Sequence, residues 1–321
     1  MCHHFKTATV FGGTGFIGAQ IVRELARQDY TVKIATRVPE RAYFLRPCGV
    51  VGQIVPLYCD YSDRKSIEDA VSGSDVVVNC IGLLVEKKKG AFEKVHVDIP
   101  KTIAKACAKL GVKRFVHISS LGVYSRSQYG KTKLDGEKAV LKEYPKATIL
   151  RPSVVFGPQD EFFNMFAEMA RYVPILPLIG GGKTKFQPVY VGDIADAVMS
   201  AITIQDVRED SPCGKIYELG GPEVVTFRDI YEILFKYTGR RRALMSLPWG
   251  LAKLQSRFMA ILPNPPLTPD QVESLKDDNI VTAEALTIEN LGIEPTGMAQ
   301  ILPGYLERFR PGGKFANKKT A

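Results

Sequence analysis

The sequence places a tyrosine and a lysine four positions apart, shortly after a pair of serines. Tyr129 and Lys133 fall on one face of a predicted helix, since side chains at i and i+4 are neighbours there. The phenol can exchange a proton with a carbonyl or alcohol while hydride moves to or from a nicotinamide, and Lys133 is expected to lower the phenol pKa and hold the ribose hydroxyls. A serine at the preceding strand end, Ser119 or Ser120, would steady the substrate oxygen. The pattern predicts nicotinamide-dependent chemistry.

A glycine-rich segment directly follows the first predicted strand. Gly12, Gly15 and Gly18 would make the tight turn, admit a pyrophosphate close to the backbone, and let helix and strand pack closely. The helix that begins there offers free N–H groups to phosphates. Alone, the pattern is compatible with a plain turn, but its strand–turn–helix context predicts a bound dinucleotide. The predicted contacts in this loop are Gly12, Thr14, Gly15, Phe16, Ile17 and Gly18.

The end of the second predicted strand selects between NADP(H) and NAD(H). A carboxylate there would accept from the ribose 2′-hydroxyl of NAD, but this chain has Arg37, with Arg41 one helical turn later. A guanidinium can pair with a 2′-phosphate, so NADP(H) is favoured. Two alternatives stay open, namely that Glu40 competes or that Arg37 faces solvent.

Further cofactor contacts are predicted at later strand ends. Asp60 is placed either to meet the adenine or simply to form a turn, and residues 80–82 should line the groove through backbone and small side chains. The remaining predicted contacts are Cys80, Ile81, Gly82, Ser119, Tyr129, Lys133, Pro152 and Val155.

Strand and helix patterns alternate through the first half of the chain. Short apolar strands separated by helices indicate parallel pairing through crossovers. We therefore expect an α/β fold with a Rossmann-type doubly wound parallel sheet over residues 1–205, including strands at 148–155 and 189–190. Beyond that point prolines cluster and helices dominate, which predicts a smaller, mostly helical C-terminal lobe over 206–321 that ends in a basic tail. Residues 158–186 are expected to pack with this lobe.

Composition excludes several classes of protein. The 321 residues carry a net charge of +9 and are 45% hydrophobic, values typical of a folded protein and not of a disordered or collagenous chain. No apolar run approaches the ~18 residues that span a bilayer, so membrane contact is expected to be peripheral. The six cysteines form no CxxC pair, which predicts no metal site. Nucleic-acid binding has only the net charge in its favour and is not predicted.

Five segments together resemble the extended or atypical short-chain dehydrogenase/reductase superfamily. They are Gly12–Gly18, residues 112–120, the Tyr129/Lys133 pair, residues 150–158 and residues 187–195. The resemblance implies that Ser120 is the catalytic serine that acts with Tyr129 and Lys133. Ser120 and Tyr129 are nine positions apart, closer than in catalytic epimerases, which predicts a truncated substrate loop. The sequence leaves open whether the three residues are active or vestigial.

The C-terminal half narrows the resemblance. Residues 247–249, 252–255, 262–272, 278–279 and 291–296 are similar to those of the dehydrogenase-like accessory subunits of respiratory complex I (NADH:ubiquinone oxidoreductase). This resemblance covers nearly the whole chain. It implies tightly held NADP(H), complex I subunits as partners, no turnover, and a position on the peripheral arm near the quinone site and membrane surface. It implies the cytoplasmic face of a bacterial inner membrane, or the matrix side in a mitochondrion.

Two functions thus remain open. The first is an NADP(H)-binding, non-catalytic accessory subunit of complex I. The alternative is a free-standing NADP-dependent short-chain reductase or epimerase that acts on a sugar nucleotide or a ubiquinone-biosynthesis intermediate.

One predicted helix in the C-terminal lobe bears on this choice. Leu251, Leu254, Phe258 and Ile261 share one face of it, and cations occupy another. The apolar face is expected either to enter the core or to lie against the bilayer boundary or another subunit, with Lys253 and Arg257 toward anionic groups.

A later helix has a clear start in the sequence. Thr268 is predicted to cap it, and Gln271 is predicted to reach back to the cap residue. This pattern predicts a helix start and indicates nothing about function.

Overall fold

A computed structural model describes residues 6–204, 211–259, 265 and 267–313. Its strands are β1 (Thr7–Phe11), β2 (Thr31–Thr36), β3 (Ile54–Tyr58), β4 (Val76–Asn79), β5 (Arg114–Ile118), β6 (Thr148–Pro152), β7 (Val155–Phe156), β8 (Ile175–Ile179), β9 (Lys185–Phe186), β10 (Val189–Tyr190), β11 (Ile216–Leu219), β12 (Val225–Thr226), β13 (Ala243–Leu247) and β14 (Leu286–Thr287).

The helices are α1 (Phe16–Arg27), α2 (Arg64–Val71), α3 (Ala91–Glu93), α4 (Ile99–Lys109), α5 (Gln128–Glu143), α6 (Phe162–Tyr172), α7 (Val191–Thr203), α8 (Phe227–Thr238), α9 (Trp249–Met259), α10 (Pro269–Ser274) and α11 (Met298–Leu306). A π-helical turn, Lys94–Asp98, joins α3 to α4. Short 3₁₀ helices lie at Pro39–Cys48, Leu121–Tyr124, Gly180–Gly182, Glu289–Leu291 and Glu307–Phe309.

Eight parallel strands form one sheet in the order β14-β11-β6-β5-β4-β1-β2-β3. The chain runs outward from β1 to β3 and then returns to β4 on the other side of β1. The carboxyl ends of β1 and β4 therefore flank a topological switch point, where open α/β sheets bind ligands. This confirms the predicted Rossmann-type doubly wound fold.

Apolar clusters cover both faces of the sheet, as parallel strands require. On one face, Ile21 and Leu25 of α1 pack with Val198 of α7 against the strands. On the other, Ile103 of α4 and Val140 of α5 pack with the far side of the same strands. The glycine loop and α5 are thereby fixed to opposite faces of one rigid layer.

The predicted strand at Val189–Tyr190 is confirmed as β10, but its predicted place in the large sheet was wrong, because it pairs with β7 in a separate two-stranded sheet. The predicted continuous strand 148–155 was also wrong, because it divides into β6 and β7. The division follows Pro152, the last residue of β6, which has no N–H to extend the ladder. Ser153 then donates its backbone N–H to the Leu219 carbonyl at 2.9 Å.

A second core lies beyond the large sheet and joins α6, β8, α8 and α11. Phe163 and Phe166 of α6 pack with Tyr231 of α8 and Leu302 of α11 in a cluster of interlocking aromatic rings. By contrast, β11 and β14 add to the large sheet although they follow residue 205 in the chain. The predicted boundary at 205/206 lies outside the described residues, as do Ile261 and the tail from 314 onward.

Across the described parts of the chain, none of the helices combines the length and apolar character needed to cross a bilayer.

Candidate functional site

The glycine loop is shaped by contacts that a side chain would not permit. Gly12 has φ of 75°, and a Cβ on it would lie 2.9 Å from the Cys80 carbonyl carbon at the end of β4. A Cβ on Gly18 would lie 2.2 Å from the Gly12 oxygen. The Gly12 carbonyl oxygen accepts from the Gly15 N–H at 3.0 Å, and this bond closes the turn. The backbone of the loop therefore lies directly against the end of β4, and Gly12 makes the tight turn that the sequence predicted.

The start of α1 fits a phosphate group. Gly15 is the exposed N-cap and supplies no side-chain cap, and the first turn holds no acidic residue. The first N–H groups of the helix thus point to the carboxyl ends of β1 and β4 without a side-chain acceptor. Thr14, Phe16 and Ile17 are half-buried around this point. The local structure suits an anion that the backbone approaches directly.

Two arginines stand where β2 ends. Arg37 and Arg41 are both exposed, and neither forms an ion pair with a carboxylate in the described residues. The Arg37 guanidinium lies 5.6 Å from the ring centroid of Tyr61. Tyr61 donates to the Ala35 carbonyl at 2.8 Å, and burial raises the pKa of this phenol to about 12. Arg37 therefore lies over a fixed ring near the glycine loop, with its guanidinium exposed, and its contact with a 2′-phosphate stays a prediction.

Asp60 forms the turn that follows β3. Its Oδ1 accepts from the Ser62 N–H at 2.9 Å and from the Ser62 hydroxyl at 2.7 Å, and these two hydrogen bonds lower the carboxyl pKa. The turn-forming role is thus observed, and an additional contact with adenine stays a prediction.

Buried polar residues fix the backbone at the end of β4. Asn79 is fully buried, with its Nδ2 3.0 Å from Nδ1 of His117 and its Oδ1 accepting from the Ile81 N–H at 3.1 Å. Burial raises the pKa of the adjacent Cys80 thiol to about 12. Cys80 and Ile81 are half-buried and Gly82 is exposed, so this segment can border a ligand as predicted.

The predicted catalytic residues come together between β5 and α5. Ser120 follows the strand and caps the 3₁₀ helix after it, with its Oγ accepting from the Gly122 N–H at 3.0 Å. The side chains of Ser120 and Tyr129 lie close together beside Gly122, since a Cβ there would be 3.2 Å from Ser120 Oγ and 3.2 Å from a ring carbon of Tyr129. Lys133, one turn along α5, donates from Nζ to the Ile118 carbonyl at 3.0 Å and is buried.

The predicted lowering of the phenol pKa is wrong. Desolvation raises the pKa of Tyr129 and outweighs the opposing effect of the nearby Ser120 hydroxyl. Desolvation also lowers the pKa of Lys133 to about 8, against the attraction of Glu137 and Cys80. An ammonium whose charge is disfavoured by burial is a weaker electrostatic aid to the neighbouring phenol than the sequence pattern implied.

His96 was missed by the sequence analysis and lies against Tyr129. The two rings meet edge to face with centroids 5.4 Å apart, and Phe92 stacks on the His96 ring. His96 Nδ1 lies 2.9 Å from Thr132 Oγ1. Burial lowers the His96 pKa to about 3, with Lys133 adding to the effect, so the ring is neutral. Its place on a π-helical turn gave no distinctive sequence signal.

Ser119, which was predicted as a cofactor contact, has its hydroxyl bonded into a buried ionic cluster. Its hydroxyl donates to Glu137. Arg151 also donates to Glu137 through three bonds, two from Nε at 3.0 and 3.3 Å and one from Nη2 at 2.7 Å. Arg151 reaches Glu218 at 3.4 Å, which ties α5 to β6 and β11. Pro152, the last residue of β6, is buried, and Val155, the first residue of β7, is half-buried.

One extended segment of the C-terminal half lies against the strand ends beside the site. Asn279 accepts from the Ser153 hydroxyl at 2.7 Å through Oδ1, and its backbone oxygen accepts from the Gln187 N–H at 3.1 Å. The Val281 N–H donates to the Gln187 side chain at 3.0 Å. The distinctive residues 278–279 therefore anchor the second core to the strand ends beside the site.

Helix α9 directs its apolar face outward. Leu251, Leu254 and Phe258 are 56%, 52% and 69% exposed, whereas Ala252 and Ser256 are buried. Of the two orientations left open by the sequence, the structure therefore has the surface one. Lys253 and Arg257 are exposed along the same helix. We call Leu251, Leu254 and Phe258 the α9 face.

No cluster of three or more histidine, cysteine or acidic side chains suited to a metal occurs within the described ranges.

Fold and site together define a dinucleotide-binding protein of the extended dehydrogenase type. The sequence model of the NAD dependent epimerase/dehydratase family matches residues 8–220. A solved structure, MoeE5 in complex with UDP-glucose and NAD, shares the fold, with a TM-score of 0.71 and 20% identity over 94% of this chain and 97% of that one.

Two relatives match almost the entire chain. Subunit 9 of the NADH dehydrogenase [ubiquinone] 1 alpha subcomplex from Arabidopsis thaliana is 35% identical over 95% of this chain and 78% of its own length. The NADH-ubiquinone oxidoreductase 40 kDa subunit from Neurospora crassa is 34% identical over 95% and 80%. The chain belongs to this family of complex I accessory subunits, within the epimerase/dehydratase family. Both relatives are mitochondrial proteins.

Proposed function

We propose that this chain is an NADP(H)-binding, non-catalytic subunit of respiratory complex I that stabilises the peripheral arm near the quinone site and the membrane surface. Its partners would be other complex I subunits. The similarity to complex I subunits over nearly the whole chain carries this proposal, because it extends well past residue 220, where the general epimerase/dehydratase match ends.

A bound dinucleotide would stabilise the fold without being turned over. Ligand binding to the folded state alone contributes about 4 kcal/mol when the ligand concentration is a thousand times the dissociation constant. The glycine loop, Lys133 and Tyr129 are all needed for such binding. The raised pKa of Tyr129 and the short Ser120–Tyr129 connection favour retention over catalysis.

The choice of NADP(H) rests on Arg37, with Arg41 beside it. We expect Arg37→Ala to weaken NADPH binding by about tenfold to a hundredfold, the range for a lost charge-assisted hydrogen-bond pair, and NADH binding much less. Titration of the purified chain with both dinucleotides measures this. Lys33→Ala, a cation on the same strand that donates to the Ser72 carbonyl, is the matched control. Equal losses for NADPH and NADH would refute the NADP assignment.

Membership of complex I is tested in membranes. Tagged chain should purify with the other subunits of the complex, on the cytoplasmic face of a bacterial inner membrane or the matrix side of the mitochondrial one. A protein found only as a free monomer or dimer would contradict the proposal.

The α9 face supports a position at the membrane surface. Exposed apolar side chains flanked by cations suit an interface with anionic headgroups. We expect the chain to sediment with phosphatidylglycerol-containing vesicles more than with phosphatidylcholine vesicles, and the paired change Leu254→Ser and Phe258→Ser to reduce this. Equal sedimentation by the paired variant would contradict the assignment.

The second candidate is a free-standing NADP-dependent reductase or epimerase for a sugar nucleotide or a ubiquinone-biosynthesis intermediate. The closeness of the Ser120 and Tyr129 side chains, one helical turn from Lys133, favours it. Steady NADPH consumption with such a substrate, abolished by Tyr129→Phe, would establish this function in place of the first.

A further inference from the structure

The C-terminal lobe reaches across to the start of α5, the helix that carries Tyr129 and Lys133. The Asp270 carboxylate accepts from the Gln128 N–H at 2.7 Å through one oxygen and from the Tyr129 N–H at 3.0 Å through the other. Asp277 accepts from the Arg126 N–H at 3.2 Å. More than 140 residues separate each pair along the chain.

These bonds satisfy groups that a helix cannot satisfy by itself. The first N–H groups of an α-helix lack intrahelical acceptors, and a carboxylate placed there also interacts favourably with the helix dipole. Among the N–H groups at the start of α5, the side chain of the local N-cap, Ser127, accepts from that of Gly130, at 3.0 Å. The N–H groups of Gln128 and Tyr129 thus depend on a side chain from another part of the fold.

Asp270 is itself held firmly. It lies in the first turn of α10, where Thr268 and Gln271 form a reciprocal capping box with bonds of 3.2 and 2.9 Å. Helix α10 packs against α9, and Lys253 of α9 lies 3.6 Å from Glu273 of α10. A continuous series of contacts therefore runs from the helix that bears the α9 face to the backbone of Tyr129.

We propose that Asp270 is a positioning residue of the dinucleotide site, which couples the seating of α10 to the placement of Tyr129 and Lys133. This inference rests on the proposed dinucleotide binding. Coupling of this kind is reciprocal, so binding of the dinucleotide stabilises α10, and a partner that holds α9 and α10 strengthens dinucleotide binding.

The Asp270→Asn variant tests the coupling, since the amide keeps the size of the side chain and loses its charge and one acceptor. We expect NADPH to bind about tenfold more weakly, and Asp270→Glu to recover part of the loss. Asp229→Asn is the matched control, because it neutralises a carboxylate that accepts a backbone N–H at the start of α8 and that has no bond to α5 among the described residues. If Asp229→Asn weakened NADPH binding as much as Asp270→Asn, the loss would follow from general destabilisation, and that result would overturn the inference.

Hydrogen–deuterium exchange of the unmodified chain gives a second measurement that needs no variant. Addition of NADPH should slow exchange of the amides at 126–130 and also at 267–277, and Asp270→Asn should abolish the second effect. No change at 267–277 in the unmodified chain, or wild-type NADPH affinity in Asp270→Asn, would overturn this inference alone. Failure of the unmodified chain to bind NADPH would overturn the proposed function as well.

Discussion

Helices α1 and α9 both carry large apolar side chains at helical spacing, but they direct them to opposite environments. Ile21, Val22 and Leu25 of α1 are fully buried against the sheet. Leu254 and Phe258 of α9 are more than half exposed. The two helices have similar patterns of apolar residues. They differ because the sheet covers the apolar face of α1, whereas no described part of the chain covers that of α9.

The cause of the difference is visible on their inward sides. The glycine loop brings α1 so close to the sheet that a Cβ on Gly13 would lie 3.0 Å from the Ile34 side chain. Helix α9 packs inward through Ala252, Ser256 and the half-buried Trp249, and it leaves the three large side chains of the α9 face outside. Exposed apolar side chains that share one helix face mark an interaction site. We therefore expect the α9 face to be covered by the membrane surface or another subunit, whereas the apolar face of α1 is covered by its own chain.

The largest expected effect concerns acid stability in the Rossmann half, to which α1 belongs. His96 has a pKa of about 3 in the folded chain and about 6.5 when unfolded, so the unfolded state binds more protons between these values. The free energy of unfolding therefore falls as the pH drops from 6.5 to 3, and His96 accounts for up to roughly 4 kcal/mol of this loss. Chemical unfolding at several pH values should show a shallower loss in His96→Gln. Parallel curves for the two proteins would show that His96 is not buried in its neutral form.

The next effect measures the packing of α1 directly. Leu25→Ala should lower the free energy of unfolding by about 3 kcal/mol, because it removes a fully buried side chain and leaves a cavity. Urea titration followed by circular dichroism is sufficient. A loss below about 1 kcal/mol would mean that α1 is not seated on the sheet as described.

A pair of glycines sharpens the comparison further. Gly18→Ala should cost about 2 kcal/mol through backbone displacement and weaken dinucleotide binding, because its Cβ would lie 2.2 Å from the Gly12 oxygen. A methyl group on Gly250 of α9 would have nothing within 4 Å, so Gly250→Ala should leave stability unchanged or slightly raised. If both variants lost a similar free energy of unfolding, α1 and α9 would not differ in how closely they pack against the rest of the chain.

The sequence predicted the first half of the molecule well because local rules decide it. Gly12, Gly15 and Gly18 have backbone requirements that follow from their type and position, and the alternation of strands with helices dictates parallel pairing. The Thr268–Gln271 capping box was also predicted and is confirmed, since it depends on residues three positions apart.

What could not be predicted depends on groups far apart in the chain. The neutral His96, the binding of Ser119 by Glu137 and the carboxylate of Asp270 at the start of α5 all arise from tertiary contacts. The same reason explains the failed prediction for the Tyr129 pKa, because four-residue spacing on a helix says nothing about burial. The orientation of α9 was left open for lack of any local signal that distinguishes core from interface.

The smallest expected effect is the most direct test of the α9 face. In the isolated chain, Leu254→Ala should change the free energy of unfolding by less than about 0.5 kcal/mol, because the side chain is 52% exposed and loses few contacts. The same urea titration used for Leu25→Ala measures it. A loss close to that of Leu25→Ala would mean that Leu254 is packed by this chain itself, and the α9 face would then need no partner to cover it.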